Sequence, residues 1–107
     1  MSLVVNIYYS STNGKAQKFV QEMEESGIAN RIRNEQGNEK YEYFQSIKDP
    51  ETVLLLDQWK NQEALDLHHV SPMMKELALL REKYDIHMRV ETMTLNDNEV
   101  DRKYIRE

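Results

Sequence analysis

Two strand-like segments of the sequence carry apolar side chains at both odd and even positions. They are residues 3–9, LVVNIYY, and residues 52–59, TVLLLDQW. Successive side chains of a strand point to opposite faces of its sheet, so a strand that is apolar on both parities is buried on both faces. Asn6 is the one polar residue inside the first segment. The pattern predicts a sheet that is covered on its two sides.

The order of the remaining elements predicts an α+β domain. After the first strand, apolar residues at helical spacing begin at Lys15, and the pattern leaves open whether this helix passes Gly27 or ends there. Asp49-Pro50 is a turn signal that favours an antiparallel hairpin. The predicted elements that follow are strands 40–47 and 52–59, helix 62–69, a helix opened by Ser71-Pro72, and strand 86–93. This is the ferredoxin-like split βαβ arrangement, a four-stranded antiparallel sheet with helices on one face.

Helices on one face leave the second apolar face of the sheet exposed. An exposed apolar face of several hundred square ångströms is normally covered by a partner. The simplest partner is a second copy across a two-fold axis, so the pattern predicts a homodimer through the sheet face. Residues 1–95 form the predicted domain, and residues 96–107 are a polar tail for which packing on the partner subunit is one alternative.

Composition excludes several classes of function. The chain has 107 residues, a formal net charge of −5 and no cysteine. An acidic chain without a basic run is a poor nucleic-acid binder, and no apolar segment is long enough for a membrane span. The absence of cysteine, and of a recognisable secretory signal, favours a cytoplasmic location. The three glycines are far apart, so no phosphate-binding loop supports a nucleotide or flavin, and the histidine spacing does not favour a metal site.

Three motifs resemble the antibiotic biosynthesis monooxygenase domain family. They are GNEKYEY at 37–43, LLDQW at 55–59 and EALDLHHVSP at 63–72. In that family a strand ends in acid-x-Trp and is followed by an "EAL" helix and His-x-x-Ser-Pro, which here gives Asp57, Trp59 and His68. Asp57 stands where glutamate is commoner. The resemblance implies a dimeric α+β barrel in a functionally mixed family that includes quinol and polyketide monooxygenases needing neither metal nor flavin.

The haem-degrading branch of the family is disfavoured by the same comparison. By resemblance, that branch uses an Asn in the first strand, a Trp near the end of the short helix and a His on the following helix. Asn6 is retained, but His68 and Ala78 occupy the other two positions. Without a histidine at position 78, haem degradation is not expected, and the predicted cofactor requirement is none.

Oxygenation without a cofactor needs a base, a hydrogen-bond donor for an oxyanion and a flat apolar pocket. The predicted catalytic residues are His68 as the base and Asn6 as the donor, and the predicted substrate-binding residues are Trp59, Tyr41 and Tyr43. Each has a structural alternative. Asn6 could bridge backbone groups, His68 could bond a carbonyl, Trp59 could be core, and the two tyrosines could pack on the dimer face.

The sequence therefore predicts a small cofactor-independent monooxygenase. Its expected partners are a second copy, a small quinol-like or polyphenolic substrate and molecular oxygen. Two alternatives stay open. The first is an isomerase or detoxifying enzyme for a small reactive carbonyl compound that uses the same His68, and the second is a non-catalytic ligand-binding dimer.

Overall fold

The computed structural model describes residues 1–95 and residue 106, so the predicted tail lies almost wholly outside the described residues. The elements are β1 (Leu3–Ser10), α1 (Lys15–Glu25), α2 (Ile28–Arg33), β2 (Asn38–Gln45), β3 (Thr52–Trp59), α3 (Gln62–His69), α4 (Met73–Lys83) and β4 (His87–Thr94). The four strands form one antiparallel sheet in the order β2-β3-β1-β4. The predicted ferredoxin-like α+β fold is confirmed.

The two doubly apolar strands lie side by side at the centre of the sheet. β1 and β3 pair antiparallel over their full length, with Leu3 opposite Trp59 and Tyr9 opposite Val53. The flanking strands β2 and β4 carry more polar sequences, which is typical of edge strands. The position of the two strands in the sheet agrees with their composition.

Local sequence determines where the helices begin and end. Gly27 adopts φ +85° and separates α1 from α2, because a left-handed residue interrupts the right-handed helical path. Asn61 caps α3, since its side-chain oxygen accepts a hydrogen bond from the backbone N–H of Ala64 at 2.9 Å. Ser71 accepts from the N–H of Met73 at 3.2 Å, and α4 begins at Met73, one residue later than the Ser71-Pro72 signal predicts.

The helices pack on the sheet face that carries the odd-numbered side chains of β1 and β3. Buried side chains of this face and of the apolar sides of the helices form the core together. The largest fully buried side chains of the core are Trp59, Tyr9, Phe19, Met23, Ile32 and Leu55. Met73, Leu77 and Leu80 of α4 join the same cluster. We call this side of the sheet the helix face.

The opposite side, which we call the open face, has no helix on it within the described part of the chain. By the strand register it presents Val4, Asn6 and Tyr8 of β1 beside Leu56 and Leu54 of β3. Phe44 and Met93 extend this apolar strip onto the edge strands and are 40% and 45% exposed. The face thus has the apolar character that the sequence predicts, and apart from the buried Val4 its side chains keep part of their surface exposed.

Candidate functional site

A group of polar side chains, of which Asp57 and His68 are buried and Glu35 and Asn38 are partly exposed, lies on the helix face at the end of β3. It consists of Glu35, Asn38, Asp57 and His68 together with the indole of Trp59, and we call it the buried polar cluster. Asp57 and His68 are the two polar residues among the most buried residues of the described chain, at 4% and 6% exposure. Buried polar groups of this kind need hydrogen-bond partners, and each of the two has one.

His68 is held on two sides. Its ring stacks on that of Trp59, with centroids 4.7 Å apart and planes inclined by 31°. Its Nδ1 lies 2.6 Å from Oε2 of Glu35, which comes from the loop between α2 and β2. Burial lowers the pKa of His68, and the Glu35 carboxylate partly counteracts this effect. The arrangement gives a neutral imidazole at physiological pH with one nitrogen bound to a carboxylate.

Asp57 lies two residues before Trp59 on the same face of β3, opposite Val5 and Tyr41 in the two adjacent ladders. Burial raises the pKa of Asp57 to about 6. Two neighbouring groups limit this rise in the pKa. The first is the indole N–H of Trp59, although its geometry falls short of a full hydrogen bond. The second is the Asn38 amide, which donates a hydrogen bond to Oδ1 of Asp57 at 3.2 Å. Asp57 therefore exchanges its proton close to neutral pH, in the range useful for acid–base catalysis.

Tyr41 and Tyr43 lie on the helix face of β2 and not on the open face. Tyr41 is 5% exposed, and its hydroxyl shares a hydrogen bond of 3.0 Å with that of Tyr43. The two rings meet edge to face, with centroids 5.4 Å apart. Burial raises the pKa of both phenols, so both are protonated at neutral pH. The sequence left open that Tyr41 and Tyr43 pack on a dimer face. They lie on the helix face, so they do not take part in a dimer formed through the open face.

The structure does not bring Asn6 to His68. Asn6 occupies an even position of β1, opposite Leu56 and Glu91 on the open face, whereas Trp59 and His68 lie under the helices. The sheet thus separates Asn6 from the predicted base within one chain. Its Oδ1 is buried and accepts no hydrogen bond from the described residues.

Each face of the sheet has a cavity that bears on the site. A groove of about 220 Å³ between α3 and the β1–β4 pair is lined by Leu3, Val5, Gln62, Leu65, Thr92 and Thr94, among others. Leu3 and Val5 are the ladder partners of Trp59 and Asp57, so this groove adjoins the buried polar cluster. A larger cavity of about 420 Å³ lies on the open face, where Tyr8, Phe44, Leu54 and Arg89 contribute to its wall.

The polar residues of the larger cavity differ from those under the helices. The Arg89 guanidinium lies 4.0 Å from the centroid of the Tyr8 ring, a cation–π contact, and is also 3.5 Å from the Glu91 carboxylate.

Among residues 1–95 and 106, no group of three or more His, Cys, Asp or Glu side chains is placed to hold a metal ion. In the same residues no helix is long and apolar enough to cross a membrane.

Three residues of the buried polar cluster were not predicted from the sequence as parts of the site: Glu35, Asn38 and Asp57. Glu35 lies in the connection between α2 and β2, and Asn38 is the first residue of β2; their contacts with His68 and Asp57 depend on tertiary structure. Asp57 stood in the acid-x-Trp motif, and its place between Leu55 and Trp59 on one face of the strand was a signal that it would be desolvated. A buried carboxyl group is a candidate for a raised pKa wherever it occurs.

Comparisons with known proteins find similar sequences and similar folds. A family model described as "Antibiotic biosynthesis monooxygenase" matches residues 2–78. "Putative monooxygenase YcnE" of Bacillus subtilis is 25% identical over 67 residues, which cover 63% of this chain and 68% of that protein.

Solved structures share the fold at low sequence identity. A structure from Deinococcus radiodurans, described as a "putative antibiotic biosynthesis monooxygenase", superimposes with a TM-score of 0.79 at 16% identity, covering 92% of this chain and 97% of that one. SnoaB of Streptomyces nogalater, described as a cofactor-independent oxygenase, gives a TM-score of 0.74 at 8% identity, covering 91% and 95%. A conserved protein from Methanosarcina mazei gives 0.73 at 26% identity, covering 87% and 91%.

Proposed function

Because the chain belongs to the antibiotic biosynthesis monooxygenase family, we propose that it oxidises a small quinol-like or polyphenolic compound with molecular oxygen and without a cofactor. The observation that carries the proposal is the buried His68, stacked on Trp59 and bound to Glu35 through one ring nitrogen. A neutral imidazole with one nitrogen fixed in this way can take a proton at the other.

The reaction needs the electrons of the substrate. A hydroquinone and one molecule of oxygen give a hydroxyquinone and one molecule of water, so the substrate supplies all four electrons that the oxygen takes up. Deprotonation of a phenol makes the ring a better electron donor, and His68 is the base for this step. Asp57, whose pKa is about 6, is a second group that can hold or release a proton next to the same aromatic wall.

The groove between α3 and the β1–β4 pair is the proposed entrance for the substrate. It runs along Leu3 and Val5, the neighbours of Trp59 and Asp57, and Leu65 lies three residues before His68 on α3. Trp59, Tyr41 and Tyr43 are the proposed aromatic residues of the site. The volume of the groove, about 220 Å³, is below the usual range for ligand pockets, so binding of an aromatic ring requires movement of the groove walls.

The open face of the sheet is proposed to pair with a second copy of the chain. Leu54, Leu56, Tyr8 and Phe44 form an apolar strip there, in which the first three are partly exposed and Phe44 is 40% exposed. The acid and base side chains at its two edges, such as Glu42 and Arg89, are suited to opposite-charge contacts across a two-fold axis.

Turnover of a panel of hydroquinones, followed by oxygen consumption, tests the proposed activity. We expect oxygen uptake to match hydroxyquinone formation one to one, and anaerobic incubation to abolish turnover. His68→Gln should lower the rate roughly 100-fold or more, as expected for loss of a general base. His87→Gln is the matched control, because His87 is 73% exposed and pairs with Ser10, at the end of β1 opposite to Leu3, the neighbour of Trp59.

Two results would exclude the proposal. Turnover that continues without oxygen would favour the isomerase alternative. Binding of the aromatic compounds without any product, in a protein whose His68 variant differs only in affinity, would favour a ligand-binding dimer.

A further inference from the structure

We propose that the loop between α2 and β2 is a positioning device, in which Glu35 holds His68 as the single tautomer with its proton on Nδ1. Glu35 is thus a positioning residue, and the lone pair of Nε2 is kept for the incoming substrate. The consequence for catalysis rests on the proposed function, but the tautomer itself does not.

The chemistry of the contact determines the direction of the hydrogen bond. An ionised carboxylate can only accept, so the 2.6 Å contact between Oε2 of Glu35 and Nδ1 of His68 requires Nδ1 to carry hydrogen. His68 is 6% exposed and Glu35 is 20% exposed, so little water competes for this bond. A neutral imidazole carries one proton, and with that proton on Nδ1 the other nitrogen is an acceptor.

The close approach of the loop to α3 depends on Gly37. A Cβ atom on Gly37 would collide with the Cβ of Ala64, which lies four residues before His68 on α3. Gly37 also has φ +88°, a left-handed conformation that glycine adopts without strain. Its carbonyl accepts a hydrogen bond of 2.8 Å from the N–H of Lys60, which fastens the loop to the end of β3.

The loop and the first residue of β2, which follows it, together serve both ionisable groups of the cluster. Glu35 reaches His68, and Asn38 donates to Asp57 at 3.2 Å. The backbone N–H of Asn38 bonds the carbonyl of Glu35 at 3.1 Å, so the two side chains are held by one turn. Any displacement of this turn from α3 therefore affects the imidazole and the carboxyl together.

Other charged groups near His68 do not replace Glu35. The charges of His69 and Arg81 lower the pKa of His68, whereas the carboxylate of Glu35 raises it. Glu35 is accordingly the group that favours a bound proton at this ring and the one that can accept from Nδ1. Removing its charge should lower the pKa of His68 further.

Nitrogen-15 NMR of the imidazole rings tests the inference without any substrate. At pH 7.5 we expect His68 of the wild type to show a protonated Nδ1 and an unprotonated Nε2. Glu35→Ala should lose this single tautomer and populate both forms. Glu35→Gln should keep Nδ1 protonated, because its amide oxygen still accepts, while the pKa of His68 shifts downward.

A surface variant controls for the general loss of a carboxylate. Glu76→Gln removes a charge that pairs with Arg31 at an exposed site, and should leave the His68 signals unchanged. A proton on Nε2 in the wild type, or an unchanged tautomer in Glu35→Ala, would overturn the inference. If Glu35→Ala does not fold, the downward shift in Glu35→Gln still tests it, and an unshifted pKa there would also overturn it.

Turnover gives a second and separable measurement. If the family reaction applies, Glu35→Ala should lower kcat ~10-fold or more, since part of the imidazole then has the wrong tautomer, with little change in KM. The expected tautomer without any oxygen uptake would refute the proposed function and leave the positioning role intact. If the wild-type enzyme is active but His68 carries its proton on Nε2, the positioning role of Glu35 is refuted and the proposed function is kept.

Discussion

Gly37 lies so close to Ala64 that a side chain on the glycine would overlap the Cβ of the alanine. Gly37→Ala should lower the free energy of unfolding by about 2–4 kcal/mol, because it adds an overlap in a packed contact to the strain of a left-handed residue. Urea denaturation followed by circular dichroism measures the change. The variant should also alter the imidazole signals of His68, since the loop that carries Glu35 must move.

Gly27 provides the matched control for that substitution. It has φ +85°, close to that of Gly37, but a Cβ atom there would meet nothing within 4 Å. Gly27→Ala should therefore cost only the backbone strain of about 1–2 kcal/mol. Adding Ala64→Gly to Gly37→Ala should recover part of the loss, and strictly additive effects of the two substitutions would contradict the direct contact.

Asp57 should make the stability of the protein depend on pH between about 4 and 6. Its folded pKa of about 6 lies above its ordinary value, so the folded state keeps a proton that the unfolded chain releases. The stability associated with Asp57 is thus present at low pH and is lost as the pH rises through this window. The loss should be roughly 2–3 kcal/mol, and Asp57→Asn should abolish it.

The difference between wild type and Asp57→Asn isolates this effect, since both proteins share every other carboxyl group. Glu22, Glu39 and Asp49 have pKa values lowered by their hydrogen-bond partners, which gives the opposite dependence on pH. Chemical denaturation at several pH values from 3.5 to 7.5 measures the difference. Parallel curves for the two proteins would show that the carboxyl of Asp57 titrates normally.

The sequence was sufficient to predict the fold because its signals are local. The double parity of β1 and β3, the turn at Asp49-Pro50 and the cap at Asn61 each act within a few residues. The limits of β2 differ by two residues from the prediction, 38–45 instead of 40–47, because pairing with β3 begins at Asn38 around a register shift. Such boundaries depend on the neighbouring strand and not on the segment itself.

The site was less accessible to sequence reasoning because it depends on contacts between distant elements. His68 and Trp59 belong to one motif, and the structure stacks them. Glu35 meets His68 across 33 residues of sequence, which no spacing rule reveals. Asn6 illustrates the converse, since a polar residue in an apolar strand indicated importance but not the face to which it pointed.

The open face should be the interface between two copies of the chain. Leu54→Asp places a carboxylate at the centre of its apolar strip, where pairing of two sheets would bury the charge without a partner, at a cost of several kcal/mol. Sedimentation at micromolar concentration should show a dimer for the wild type and a monomer for Leu54→Asp. Leu79→Asp, on an exposed position of α4 with 66% exposure, should remain dimeric. A monomeric wild type, or dissociation by both substitutions alike, would argue against pairing through this face.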